Sequence, residues 1–254
     1  MNTTAIAAIV FASVFSSALL GMLLRSLLPE HHLSADSKDV IKQAFALLAT
    51  MSALVLGLLI ASAKASYDTR GQEVLKLATD IIALDWVLRH YGPETAEARS
   101  VLSQAVTAGV ERMWPSGDQQ PALPAALTTG ASPGAALYGR IEDLSPHTEA
   151  QKALQARALQ MAFELGVTRI IQLEQIRSSI PIPFLMVLVF WVCLLFIGFG
   201  LFAPVNTTVI SVFLVSALSV SGALFLIVEL DRSFEGVIQV SSTPVRAALV
   251  QLSR

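Results

Sequence analysis

The chain has 254 residues, 54% of them hydrophobic and only 14% charged. Soluble globular domains carry about 25% charged residues, and the deficit here is concentrated in long stretches with no charge at all, which argues against a water-surrounded fold and for a bilayer. A net charge of −2 leaves no basic footprint for nucleic acid, and a single cysteine, Cys193, excludes an intramolecular disulfide and reads as a small buried hydrophobe.

In chain order, the first predicted span is residues 3–24, TTAIAAIVFASVFSSALLGMLL, closed by Arg25. About 20 helical residues cross a bilayer core. A cleaved signal peptide fits poorly, because no Lys or Arg precedes the run and the run exceeds a hydrophobic region of about 7–15 residues. A loop follows with the segment Leu28-Pro29-Glu30-His31-His32-Leu33. Glu30, His31 and His32 form a candidate metal or pH site. Adjacent helical side chains diverge by about 100°, so an interfacial turn with hydrated imidazoles is the competing reading. Ser34-Ala35-Asp36-Ser37-Lys38-Asp39 reads as the capped start of the next helix.

The second span is 44–63, AFALLATMSALVLGLLIASA, closed by Lys64. Ala46, Thr50, Ala53, Gly57 and Ala61 recur at three- and four-residue intervals as a stripe of small residues. Such a stripe either lets helices approach closely or leaves space for a permeation path. Thr50, Ala53, Gly57, Ala61 and Lys64 are therefore the pore-lining candidates, Lys64 supplying positive charge at a pore mouth or anchoring the helix at the interface.

Residues 64–183 are expected to form a water-exposed helical domain, a stalk that can extend spans two and three. Over 68–113 the apolar positions Val74, Leu77, Ala78, Ile81, Ile82, Leu84, Trp86 and Leu88 predict a helix, with Asp80, Asp85 and Arg89 between them and a break at Gly92-Pro93. A second helix with Ala96, Leu102, Val106 and Val110 on its apolar face ends near Trp114-Pro115. Residues 115–146, rich in Pro, Gly, Ala and Ser, predict a mobile loop with at most one short helix. Helical period returns over 148–177 at Leu154, Ala158, Met161, Leu165, Val167, Ile171 and Leu173.

The third span is 184–203, preceded by Pro181 and Pro183, which first-turn positions tolerate. The turn 204–208 joins it to the fourth span, 209–228, as an antiparallel hairpin, with Ser211, Ser216, Ser219 and Ser221 bonding across helices or to their own backbone. No span contains Asp, Glu, Lys, Arg or His, and the runs are continuous rather than alternating, which excludes a β-barrel. The tail 229–254 is expected to turn back as a short amphipathic helix capped by Ser242 or Thr243, with Pro244 in its first turn. Glu229, Asp231 and Arg232, at the end of span four, are candidates for a pore mouth or for assembly. The expected fold is all-α: four transmembrane helices with a cytoplasmic helical stalk domain between the second and third. The surplus of Lys and Arg beside the membrane on the domain side places that domain and both termini in the cytoplasm.

No nucleophile–base constellation, phosphate loop, HExxH or CxxC is present, so neither an enzyme nor a cofactor is expected. The segments LPEHHLS, LDWVLRHYGPETAEAR, IPFLMVLVFWVCLLFIGFGLFAPVN and, most specifically, ELDRSFEGVIQVSSTPVRAAL resemble the bacterial bestrophin-like domain family, formerly a domain of unknown function. That family typically has proline where Ser233 stands and leucine at Val245. The resemblance implies a distant likeness to bestrophins, oligomeric anion channels with four membrane helices and cytoplasmic termini. It carries across no pore residue, because no neck motif is recognisable.

Two functions follow as expectations. The first is a cyclic homo-oligomeric ion channel of the bacterial inner membrane, with a pentamer among the candidate stoichiometries, the lipid bilayer and inorganic ions as partners, and anions favoured over cations. The absence of an ionisable group at mid-membrane fits a passive pore better than a coupled transporter. The alternative is a membrane-anchored scaffold or regulatory protein without transport activity.

Overall fold

A computed structural model describes residues 2–27, 35–114, 133–175, 182–234 and 236–253. Among the described residues all regular secondary structure is helical: α1 (Thr3–Leu27), α2 (Ala35–Tyr91), a 3-10 turn (Pro93–Thr95), α3 (Ala96–Met113), α4 (Pro133–Glu142), α5 (Glu149–Gln175), α6 (Ile182–Phe202), α7 (Thr207–Asp231) and α8 (Thr243–Leu252). Helices α1, α2, α6 and α7 are long and apolar enough to cross a membrane. Glu30, His31 and His32 lie outside the described residues.

The chain divides into two compact units: Met1–Tyr67 with Ser178–Ile238, and Asp68–Arg177 with Gln239–Arg254. In the first unit the apolar helices share a core that includes Val10, Val14 and Ala18 of α1, Leu59 and Ala63 of α2, Leu188 and Phe196 of α6, and Ala217, Leu224 and Ile227 of α7. Helices α1 and α6 run parallel and touch backbone to backbone. A Cβ on Gly21 would collide with the Ile197 carbonyl, and one on Gly200 with the Ala18 carbonyl. Lipid gives apolar side chains no reason to leave it, so such close approach through small residues is how membrane helices gain contact. Arg25 closes the same corner by donating to the Ala203 carbonyl just past the end of α6, a cation at the negative end of a helix.

The α6–α7 hairpin turns at Asn206, whose side chain accepts from the Val209 N–H at 2.8 Å and caps α7. The serines of α7 divide as expected. Ser211 and Ser219 donate to carbonyls one turn back in their own helix, and Ser221 donates across to the Ala7 carbonyl of α1 at 2.7 Å.

In the second unit Val74, Ala78, Ile81, Leu84 and Leu88 of α2 pack as one face. The core also takes Leu102 and Val110 of α3, Leu137 and Ile141 of α4, Ala158 and Met161 of α5, and Val245, Ala248 and Leu252 of α8. Helix α2 has no break where span two was expected to end. Between Lys64 and Tyr91 the sole glycine is Gly71 and there is no proline; one helical glycine costs about 1 kcal/mol, too little to stop a helix. The break comes at Gly92, whose φ of +140° suits glycine. Thr95 then donates its hydroxyl to the Leu88 and Gly92 carbonyls at 2.7 and 2.8 Å.

Three expectations are corrected. Trp86, placed on the apolar face, is 57% exposed and lies on the His90 ring at 3.9 Å. Successive α2 residues turn by about 100°, so Trp86 falls off the arc that Leu84 and Leu88 share. On α3, Ala96 is exposed and Ala98 is buried in its place. At the start of α8, Ser242 holds the cap position without a side-chain cap bond; its hydroxyl accepts from Arg246 Nε at 3.0 Å, and the Thr243 N–H goes to the Ser241 hydroxyl at 3.2 Å. Within 115–146 the described part holds α4, whose Leu137 and Ile141 are buried. Gln155 fastens its end by donating to the Ile141 and Leu144 carbonyls at 3.0 and 2.8 Å.

Candidate functional site

Of the four long apolar helices, α2 is the least covered by its own chain: 11% of its apolar stretch is buried, against 28% for α1, 33% for α6 and 28% for α7. The covered edge is Ser52, Leu59 and Ala63. Ala46, Thr50, Ala53, Gly57, Ala61 and Lys64 are all exposed. With about 100° between residues, those six fall within about 80° of arc, centred about 140° from the covered edge. Leu47, Leu54 and Leu58, also exposed, form a separate apolar flank. Apart from Ala53, which borders a crevice against α6 and α7, the stripe read from the sequence thus faces away from the chain's own bundle.

The stripe has modest chemistry. Thr50 donates its hydroxyl to the Ala46 carbonyl at 2.9 Å, leaving oxygen lone pairs on the surface. Ala53, Gly57 and Ala61 offer width rather than polar contacts. At the end, the Lys64 ammonium lies 5.7 Å from the centre of the Tyr67 ring, within cation–π range.

Glu229, Asp231 and Arg232 stand differently. Glu229 is 1% exposed. Its carboxylate accepts from the Val237 N–H and, at 3.3 Å, from the Ile238 N–H. Gly236, with φ of +92°, folds the chain over it, and a Cβ there would strike the carboxylate. Glu229 therefore fastens the turn that follows α7. Asp231 is also buried, and the Arg232 N–H closes α7 on the Val228 and Glu229 carbonyls. Among the described residues no group of three or more His, Cys, Asp or Glu could hold a metal ion.

Sequence reasoning missed a charge network in the second unit. Asp85, its side chain 5% exposed, receives Arg89 Nε on Oδ2 and Arg99 Nε on Oδ1, both at 2.7 Å. The same arginines use Nη2 to reach the Gln251 and Leu252 carbonyls, at 2.7 and 3.2 Å. Helix α8 has no basic residue in its own last turn, so α2 and α3 supply the cations its negative end favours. Trp114 Nε1 adds a bond to the Val240 carbonyl at 2.8 Å. The Asp85–Arg89 spacing was a readable signal; Arg99 was not. Beside this network Tyr91 is buried, and its hydroxyl has no hydrogen-bond partner among the described residues. Burial, with the Glu94 carboxylate adding to it, pushes the Tyr91 phenol above its ordinary value.

Long helices with uncharged apolar stretches, packed through glycine in one unit, and a second helical unit held by charge pairs define the class: an α-helical membrane protein. Residues 10–245 match the Bestrophin-like domain. The chain belongs to that family. No curated protein sequence matches it. It is similar to the crystal structure of a mutant bacterial bestrophin homologue from Klebsiella pneumoniae, with a TM-score of 0.66 at 13% identity over 97% of this chain and 98% of that one. At that identity the likeness is one of fold.

Proposed function

We propose that the chain is the subunit of a homo-oligomeric ion channel of the bacterial inner membrane, in which the small-residue face of α2 lines the permeation path and anions are preferred. The observation that carries this reading is the direction of the stripe: Thr50, Ala53, Gly57 and Ala61 are uncovered while Leu59 and Ala63, on another side of the helix, are buried. One subunit encloses no path along that face, so several copies arranged cyclically must complete it. Family membership and the likeness to a bacterial bestrophin homologue support the same reading. So does the lack of any charged residue in the apolar runs, which suits a passive pore.

The exposure of Lys64 against the burial of Glu229 supports the proposed anion preference. Lys64 is exposed at the end of the stripe, whereas Glu229 is buried with its carboxylate on backbone N–H groups. The surplus of basic residues next to the membrane on the 64–183 side favours a cytoplasmic location for that domain. Reconstitution in liposomes with chloride- and potassium-flux assays tests the proposal. Chloride flux is expected to exceed potassium flux, and Lys64→Glu to lower chloride flux several-fold. No flux above empty vesicles across several salts and pH values would overturn it and favour a membrane-anchored scaffold.

A further inference from the structure

Lys64 is exposed where the small-residue face of α2 ends, and its ammonium lies 5.7 Å from the centre of the Tyr67 ring. Side chains on a helix lean toward its N-terminus, so a ring at position 67 falls back over the turn that carries Lys64. Successive residues turn by about 100°. Tyr67 therefore stands about 80° from the centre of the stripe and about 60° from the covered edge of Ser52, Leu59 and Ala63. It is half-buried there, on the flank between the two. Lysine carries its charge on a flexible four-carbon stem, and a free stem spreads that charge over many positions. An aromatic face selects among them. The strength of a cation–π contact at an exposed site corresponds to a rise of about two- to fivefold in the population of the ring-bound rotamer. The ring face supplies this attraction, and phenylalanine offers the same face without the hydroxyl.

We propose that Tyr67 is the positioning residue for the charge that favours anions: its ring holds the Lys64 ammonium at the edge of the small-residue face of α2. The inference rests on the channel reading above. In a cyclic assembly the held ammonium recurs once per subunit at one height, so the copies form a ring of positive charge at the end of the path. Salt screens exposed charges over about 8 Å at physiological ionic strength, so the place of each ammonium, and not its presence alone, sets the field a passing ion meets.

The test uses the full-length protein and two readouts. In the first, lysines are reductively dimethylated with 13C, which keeps their charge, and the Lys64 signal is assigned with Lys64→Arg. The Tyr67 ring current is expected to move the Lys64 methyl protons upfield of those on exposed Lys42, Lys76 and Lys152. The shift should persist in Tyr67→Phe and vanish in Tyr67→Leu. In the second, reversal potentials of the reconstituted protein under a potassium chloride gradient give the chloride-to-potassium permeability ratio. Tyr67→Leu is expected to lower that ratio by about twofold or more, toward the value of Lys64→Gln, and Tyr67→Phe to keep it. A Lys64 signal among the exposed lysines in the native protein would overturn the positioning role and leave the channel reading standing. So would a native ratio in Tyr67→Leu when Lys64→Gln lowers it. A ratio unchanged even in Lys64→Gln would remove Lys64 as the selecting charge and the positioning role with it. No ion flux from the native protein would overturn the channel reading itself, and this inference with it.

Discussion

Asp85→Asn is the most informative single perturbation of the second unit. The substitution keeps the shape of the side chain and removes its charge. In the native structure each carboxylate oxygen takes one guanidinium Nε at 2.7 Å, and the side chain is 5% exposed. Charge-assisted hydrogen bonds contribute about 1.5–3 kcal/mol each. The partners are partly solvated, with Arg89 and Arg99 side chains 35% and 27% exposed, so screening removes a good part of that sum. A loss of about 3 kcal/mol is expected, toward the low end for breaking a buried pair. For a chain of this size that lowers Tm by about 6–12 °C. The loss should be local first: the same arginines hold the Gln251 and Leu252 carbonyls, so hydrogen exchange should quicken in α8 before α3. Thermal unfolding in detergent, followed by tryptophan fluorescence and by exchange mass spectrometry, reads both effects. A Tm within about 2 °C of the native value, with α8 exchange unchanged, would refute the assignment of α8 anchoring to this network.

Gly236→Ala should destabilise the turn after α7 by about 1–3 kcal/mol, because the residue combines φ of +92° with a Cβ position inside the Glu229 carboxylate; faster proteolysis near 236–238 reads it, and unchanged cleavage would count against it. Gly200→Val should force α1 from α6 at the Ala18 carbonyl and reduce the yield of monodisperse protein sharply, whereas Gly166→Ala, with open space around it, should not. Tyr91→Phe removes a buried hydroxyl without a partner and is expected to be neutral or stabilising by about 1 kcal/mol. The raised pKa of Tyr91 sets its sign with pH: the folded state keeps the proton longer than the unfolded chain, so this contribution is whole below pH about 10 and is lost as pH rises through the folded value. Alkaline unfolding should therefore be shallower in Tyr91→Phe, and identical alkaline limbs would contradict the assignment.

The helices with apolar runs were readable from sequence because lipid excludes charge, and the runs lacking Asp, Glu, Lys, Arg and His fall within α1, α2, α6 and α7 except for Ala203, just past the end of α6. The end of α2 was readable because Gly92-Pro93 can neither hold helical geometry nor donate every bond a helix needs. What escaped were contacts between residues far apart in the chain. Nothing local announces that Gly21 and Gly200 meet carbonyls of the facing helix, or that Arg99 reaches Asp85. Glu229 looked available to a pore mouth because it follows an apolar run; its carboxylate is instead taken by amides eight and nine residues on. The small stripe of α2 was visible as spacing, but spacing alone does not say which side of a helix the rest of the chain covers. That required the positions of Leu59 and Ala63 against the bundle.

The direction of that stripe is best tested by cysteine accessibility in the assembled protein, on a Cys193→Ser background. Thr50→Cys, Ala53→Cys and Gly57→Cys are expected to react in membranes with a charged, membrane-impermeant thiosulfonate, while Leu47→Cys, Leu54→Cys and Leu58→Cys stay unreactive. Labelling at the leucine flank with none along the stripe would mean that α2 turns its small face to protein or lipid and that no water-filled path runs along it.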